Sequence, residues 1–232
     1  MQNQKLCVLT GNHLKLLAAL TMLLDHVGVL LFPQVLLLRV IGRISYPVFA
    51  FMIAEGCRYT RNKLRYFLMI FGLGVGCQVV YYFVSGDTYL NILLTFSFSV
   101  LLIFLLQRVQ AATDWKRQFW WSVVFASGVF VTIVANQLLT IDYGFWGVMT
   151  PVFASLPLGK TKTGSKLPVL MMALGLLLLA ADMKDIQYYA LLAVPLLLLY
   201  SGQRGKTNLK YFFYIFYPVH LVVLQGIAWI LR

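Results

Sequence analysis

The sequence predicts an all-α, polytopic integral membrane protein with about nine transmembrane helices, with a range of roughly 8–11, packed in one bundle. Composition is the first reason, because 61% of the 232 residues are hydrophobic, only 11% are charged, and the mean hydropathy is +0.82. Such a chain is too apolar for a water-soluble globule. The second reason is a series of apolar runs, which we take to form a single transmembrane domain over residues 1–232. The runs are 14–33, 36–54, 64–84, 89–106, 119–139, 143–158, 167–181, 188–200 and 211–231.

Run length decides how firmly each element is predicted to cross the membrane. The first run is long enough to span, and no small-residue cleavage site follows it, so it is predicted to be retained. The next four runs and the last one are also long enough. The runs between 143 and 200 have only about 13 to 16 residues, against about 17 to 25 for a usual span. They are interrupted by Pro151, Pro157 and Pro195.

Basic residues alternate from loop to loop and give the predicted topology. Lys and Arg cluster after the second, fourth, sixth and eighth runs, whereas Asp87 and Asp142 lie in intervening loops. Because Lys and Arg near helix ends stay on the cytoplasmic side, the amino terminus is predicted to be cytoplasmic. This bias accounts for most of the net charge of +12. We therefore expect membrane lipids, and no nucleic acid, as partners of this basic chain.

Asp25 and His26 lie side by side in the first run, which raises the question of why they occupy hydrocarbon. Lys15 marks the cytoplasmic end of this helix, and His26 lies 11 residues further along. That is about 16 Å deeper, near the middle of the bilayer, and within about 20° of the same helix face. A carboxylate at this depth costs about 2.5–3.5 kcal/mol and is seldom kept without a role. The pair is the first candidate for the functional site.

Two arginines depart from the charge rule. Arg39 and Arg43 lie one helical turn apart at the outer end of the second run, where topology gives no reason for positive charge. We predict that they neutralise Asp25 or Asp142, the second candidate carboxylate of the site. Glu55, at the inner end of the same run, is predicted to pair with neighbours at the inner surface such as Arg58 and not to act in catalysis.

His220 in the last run is predicted at nearly the same depth as His26, because it lies 10 residues beyond the cytoplasmic Lys210. It is either part of the site or a satisfied core histidine. The preceding Tyr217 and Pro218 either support the site or only kink the helix. No metal-ligand spacing occurs among the histidines and cysteines, so no metal is predicted.

Four blocks of the sequence are distinctive: LKLLAALTMLLDHVG, LRVIGRISYPVFAFMIAEGCRYTRN, IDYGFWGV and FFYIFYPVHL. Together they resemble the TraX family, membrane proteins associated with acetylation of conjugative pilin. That family is similar to the wider transmembrane acyltransferases, in which Arg or Lys precedes a histidine, taken as catalytic, by ten intervening residues. Lys15 and His26 have this spacing. The resemblance implies a bacterial cytoplasmic (inner) membrane location, and an acyl-CoA donor, most simply acetyl-CoA, bound from the cytoplasm.

Acyl transfer to an amine or hydroxyl needs a base beside the nucleophile, and imidazole suits this role. His26 is the predicted base, Asp25 sets its orientation or the local field, and Lys15 guides the donor. The CoA phosphates need several cations. A dense cytoplasmic cluster offers them, although ordinary positive-inside anchoring is the alternative explanation for it. The cluster consists of Arg58, Arg61, Lys63 and Arg65.

The residues leave several alternatives open. Direct transfer and an acyl-histidine intermediate are both compatible with His26. The acceptor is a peptide amino terminus, a glycan or a lipid. In a different class of function, the chain is a proton-coupled transporter or a non-enzymatic membrane assembly factor, in which Asp25 and His26 carry protons.

Overall fold

A computed structural model of the protein describes residues 8–86, 88–157, 165–207 and 209–231. Over these residues the architecture is all-α, which confirms the predicted fold class. A 3-10 helix, Asp185–Leu192, leads directly into α9. The α-helices are α1 (Gly11–Leu30), α2 (Leu36–Gly42), α3 (Ser45–Tyr59), α4 (Lys63–Ser85), α5 (Ile92–Ala111), α6 (Trp115–Leu138), α7 (Gly144–Ser155), α8 (Leu167–Met183), α9 (Ala193–Leu198) and α10 (Lys210–Ile230).

Six helical segments among the described residues are long and apolar enough to cross a membrane, so this is a multi-pass membrane protein. The count of about nine spans is not confirmed. The difference lies in the second half, where α7 has 12 residues and therefore covers only about 18 Å of a hydrocarbon core about 30 Å thick. The six spans are Gly11–Leu30, Leu36–Tyr59, Lys63–Phe83, Ile92–Ala111, Trp115–Leu138 and Tyr211–Ile230.

Side-chain caps explain where several of the long helices begin. Thr10 and His13 form a capping box at the start of α1. Asn62, Asn91 and Asp114 each accept a hydrogen bond from a backbone N–H in the first turn of α4, α5 and α6. Such caps satisfy N–H groups that have no partner inside the helix. They fix the helix starts close to the polar loops that the sequence indicates.

The core lies among the central helices, and the outer helices are largely exposed on their apolar surfaces. Fully buried side chains come from α3, α5, α7 and α8, among them Val48, Val100, Val148 and Leu176. On α6, by contrast, only Thr132 is buried. An apolar helix with so little protein around it is what lipid contact requires. The short α7 and α8 thus serve to fill the interior of the bundle.

Two isolated bridges tie together loops that the charge pattern places on the same side. Leu9 pairs with Tyr200, and both segments are predicted to be cytoplasmic. Leu90 pairs with Ile141, and both loops are predicted to be external. The arrangement of helix ends therefore agrees with the alternation of loop charge. Asp87, and the basic loop at 158–164 after the sixth run, lie outside the described residues.

We expect tags at residues 112 and 162 to be cytoplasmic and a tag at residue 86 to be external, because Lys and Arg concentrate beside the first two positions. Labelling of single tags in intact cells, before and after permeabilisation, measures this. Protection of all three tags from an external reagent would overturn the topology.

Close approach of α1 and α2 depends on a glycine. A Cβ atom on Gly42 would overlap the side chain of Asp25. One turn along α1, a Cβ atom on Gly28 would come within 2.9 Å of the Cβ of Leu38. Small residues at such crossings let membrane helices pack closely. Here they bring the Asp25 carboxylate against the helix that carries the two unusual arginines.

Candidate functional site

The first and last long helices place two histidines in direct contact. Nδ1 of His26 on α1 lies 3.0 Å from Nε2 of His220 on α10. His220 is 6% exposed, and its ring stacks on Phe216 with the ring centroids 4.8 Å apart. Tyr217 makes an edge contact with the same ring at 5.9 Å. The two histidines that the sequence places at a common depth therefore form a pair supported by aromatic rings.

Hydrogen bonding in this pair determines which ring nitrogen is free. Nδ1 of His220 lies 2.8 Å from the carbonyl oxygen of Phe216, and a carbonyl can only accept. In the neutral state Nδ1 of His220 therefore carries the proton, and its Nε2 accepts from Nδ1–H of His26. Nε2 of His26 is then left unprotonated. It has no protein partner in the described part of the chain, so it can take a proton from a substrate.

Asp25 lies in an ion-pair cluster with both unusual arginines, which confirms the predicted pairing. Nη2 of Arg43 donates to Oδ2 of Asp25 at 2.5 Å, and Nε of Arg39 lies 3.4 Å from Oδ1. Asp25 and Arg43 are each 8% exposed. Paired charges of this kind avoid most of the cost of burying an isolated carboxylate. Because Asp25 binds the arginines, its effect on the adjacent His26 is electrostatic.

Two further side chains bind the guanidinium of Arg43. Nη1 donates to Oε1 of Gln187 at 3.3 Å and to the hydroxyl of Tyr143 at 3.5 Å. Tyr143 has φ 59°, and Lys184 and Asp185 just before Gln187 have φ 59° and 48°. Non-glycine residues in this region cost about 1–3 kcal/mol each and cluster at functional sites. Both turns that supply partners to Arg43 are therefore strained.

Asp142 lies beside this cluster, in the loop between α6 and α7. The hydroxyl of Tyr89 donates to its Oδ1 at 2.9 Å. Burial raises the pKa of the Asp142 carboxyl to about 6, against the opposing effect of that hydrogen bond and of Arg43. The carboxylate hydrogen-bonded to Arg43 is that of Asp25. Asp142 thus acts on the Arg43 guanidinium through its charge and not through a hydrogen bond.

Sequence comparison gives the family of this chain. The sequence model described as "TraX protein" matches residues 10–228. The chain belongs to the TraX family. It is also similar to the probable fimbrial assembly protein FimC, serogroup H1, of Dichelobacter nodosus, with 28% identity over 91% of this chain and 92% of that protein. A segment covering 26% of the chain is 40% identical to 23% of the uncharacterized protein RP591 of Rickettsia prowazekii (strain Madrid E). No solved structure matches.

In this TraX family member, Lys15 lies on α1 toward the predicted cytoplasmic side of the histidine pair. A second cation lies near it. Lys15 is half-buried, and the charge of Arg204 acts on it. Arg204 belongs to the loop that follows α9, and its backbone oxygen accepts from the backbone N–H of Asn12. The amino end of α1 and this loop thus bring two positive charges together on the predicted cytoplasmic side.

The basic cluster predicted to bind the donor is divided between two environments. Arg58 forms an ion pair with Glu55 at 3.8 Å, as predicted, and Lys63 lies over the ring of Phe104 at 5.2 Å. Arg61 is exposed, and Arg65 lines an open groove of about 480 Å³ at the start of α4. Only the last two therefore present their charge mainly outward.

Sequence reasoning missed Tyr143 and Gln187 as partners of Arg43. Gln187 is a single amide within the apolar stretch IQYYALL, and it is 2% exposed. A lone buried amide in such a run needs partners, which is the signal that could have identified it. Tyr143 carries no comparable signal, because tyrosine is common near the membrane–water interface, where this turn is predicted to lie.

Proposed function

We propose that the protein is a membrane acyltransferase that moves an acyl group, most simply acetyl, from cytoplasmic acyl-CoA to an amine or hydroxyl acceptor at or across the membrane. The observation that carries this proposal is the histidine pair, in which the bond to the Phe216 carbonyl leaves Nε2 of His26 as a free base. Family membership supports it, because the TraX family is associated with pilin acetylation. The bacterial inner membrane is the proposed location.

The chemistry requires one proton to move twice. Nε2 of His26 accepts the proton of the attacking N–H or O–H while the acceptor attacks the thioester carbonyl. The tetrahedral intermediate then expels the CoA thiolate, which takes the proton from His26 and leaves as the thiol. His220 holds the His26 ring through Nδ1 and stabilises the imidazolium that forms in between. His220 is therefore a positioning residue.

Donor binding is proposed on the cytoplasmic side, at Lys15 and Arg204. Lys15 is half-buried and Arg204 is exposed. Two like charges brought together repel one another, and an anionic group between them reduces the repulsion. The phosphates of CoA are such groups. Lys15 lies about 16 Å below His26 on the same helix face, so a donor anchored there extends its thioester arm along α1 toward the base.

Replacing Lys15 with alanine is expected to weaken acetyl-CoA binding by about 10- to 100-fold, because one charge-assisted hydrogen bond contributes about 1.5–3 kcal/mol. The rate at saturating donor should change little, since Lys15 does not reach the reacting carbonyl. Titration of the purified protein in detergent measures the affinity. Lys116→Ala, an exposed cation on α6, is the matched control. Equal affinities for the wild type and Lys15→Ala would remove Lys15 from the donor site.

A second candidate function rests on the relative in Dichelobacter nodosus, which is named a probable fimbrial assembly protein. An assembly factor needs no acyl donor, and a proton-coupled transporter needs none either. Thermal unfolding with and without acetyl-CoA separates these cases. We expect acetyl-CoA to raise the unfolding temperature, and dephospho-CoA to do so less. Absence of stabilisation, together with pH-driven solute flux in proteoliposomes, would favour the transporter.

A further inference from the structure

Three buried polar atoms in the cluster around Arg43 have no hydrogen-bond partner among the described residues. They are Oδ1 of Asp25, Nε of Arg43 and Nε2 of Gln187. The three residues are 8%, 8% and 2% exposed. Buried polar atoms in native proteins are nearly always hydrogen-bonded to protein, water or ligand. These three therefore indicate a position that another molecule fills.

The three atoms belong to one connected cluster. Arg43 donates through Nη2 to Asp25 and through Nη1 to Gln187. Asp25 and Gln187 therefore each have one satisfied and one unsatisfied polar atom, and Arg43 has two satisfied nitrogens and one unsatisfied. Arg39 lies 3.4 Å from Oδ1 of Asp25 as an ion pair but makes no hydrogen bond to it. Asp25 is adjacent to His26 in α1. The charges of Asp25, Arg43 and Arg39 act on the His26 ring, so a group bound to this cluster lies near the proposed base.

The chemistry of the three atoms restricts what can bind. Oδ1 of Asp25 needs a donor, whereas the N–H groups of Arg43 and Gln187 need acceptors. A carboxylate or phosphate satisfies the two N–H groups but is repelled by Asp25. An ammonium satisfies Asp25 but leaves both N–H groups unpaired and lies beside a second positive charge. An uncharged hydroxyl or amide, which both donates and accepts, pairs with all three atoms.

We infer that Asp25, Arg43 and Gln187 form a subsite for an uncharged hydroxyl or amide group of the acceptor, which holds the reacting amine or hydroxyl beside Nε2 of His26. This inference rests on the proposed acyl transfer and specifies the acceptor that it uses. The strained turns before Gln187 and at Tyr143 are consistent with a subsite that is formed in advance. Gln187 is the member that can be changed without removing a charge.

Four primary amines test the subsite, because they share the reacting group and differ in its neighbour. Ethanolamine supplies a hydroxyl, glycinamide an amide, propylamine a methyl group and glycine a carboxylate. We expect kcat/KM of the purified protein with acetyl-CoA, calculated from the concentration of unprotonated amine, to be at least about tenfold higher for ethanolamine or glycinamide than for propylamine and glycine. A preference for ethanolamine indicates that a hydroxyl occupies the subsite, and a preference for glycinamide indicates that an amide does.

Two variants of Gln187 connect this preference to the cluster. Gln187→Glu keeps an oxygen for Arg43 and replaces the unpaired N–H donor with an acceptor, and Gln187→Met removes both at similar size. We expect the preference to fall toward unity in either variant, mainly through KM. Gln118→Glu, an exposed amide on α6, is the matched control and should keep the preference. The different basicities of the amines cancel when the preference of a variant is divided by the preference of the wild type, because all proteins are assayed with the same amines.

Each outcome decides the inference. Equal kcat/KM for the four amines in the wild type overturns the subsite even if no variant folds, and so does a preference that survives in a folded Gln187 variant. Acetyl-CoA stabilisation without transfer to ethanolamine or glycinamide also overturns the subsite but leaves the donor site in place. Failure of both acetyl-CoA stabilisation and His26-dependent transfer removes the acyltransferase proposal as well.

Discussion

The His26→Ala variant is expected to insert into the membrane and bind acetyl-CoA nearly as the wild type does, yet to lose acyl transfer by about 10²–10⁴-fold, the range for a removed general base. The physical reason is that Nε2 of His26 is the free nitrogen of the histidine pair, whereas His220 is held by the Phe216 carbonyl. Transfer of radiolabelled acetyl from acetyl-CoA to amine acceptors in membranes measures the loss.

His220 provides the internal control for this experiment. His220→Ala should lose less activity than His26→Ala, because the base remains and only its orientation and charge stabilisation are removed. The double variant should be little worse than His26→Ala alone, since the two residues act as a unit. Full transfer activity in His26→Ala would falsify its role as base and move the assignment to His220.

The Asp25→Ala variant should be strongly destabilised. Removal of the Asp25 carboxylate leaves the Arg43 guanidinium buried without its ion-pair partner. Removing one partner of a buried ion pair costs about 3–5 kcal/mol of folding free energy. The free energy of unfolding in detergent, from denaturant titration, measures this. Removing both charges in Asp25→Ala with Arg43→Ala should restore part of the loss, because the buried guanidinium is then removed with its partner and only the partly exposed Arg39 loses an ion pair.

Arg39→Ala is the matched comparison for the buried pair. The Arg39 side chain is 28% exposed and its ion pair to Asp25 is longer, at 3.4 Å. The expected loss is therefore about 0–1 kcal/mol, as for solvent-accessible ion pairs. If Asp25→Ala were as stable as Arg39→Ala, the Asp25–Arg43 pair would not be a structural element of the site.

Much of the fold could be predicted, because membrane insertion leaves a strong one-dimensional signal. Apolar runs of about 20 residues correspond to α1, α4, α5, α6 and α10. The uncertain part was the region between 143 and 200, since short apolar helices in a protein interior and true spans have the same composition. Only packing separates them: α7 and α8 bury Val148 and Leu176 completely, whereas α6 is almost unburied.

The ion pairs of the site were also predictable, and the amide partner was not. Charges are rare in hydrocarbon, so Asp25, Arg39 and Arg43 could be paired from topology alone. His220 could be placed near His26 by counting residues from the cytoplasmic ends of two helices. Gln187 could not be placed, because its position depends on the turn at Lys184 and Asp185, where non-glycine residues adopt positive φ.

The contact between α1 and α10 also orders events during synthesis. The two imidazoles are 194 residues apart in the chain, so the ribosome must deliver every intervening helix before they can meet. A nascent chain that ends before α10 holds His26 without the acceptor nitrogen that fixes its tautomer. His26 therefore becomes fixed in its tautomer only when α10 inserts, so a partly assembled bundle lacks the oriented imidazole that we propose as the base for activating an acceptor.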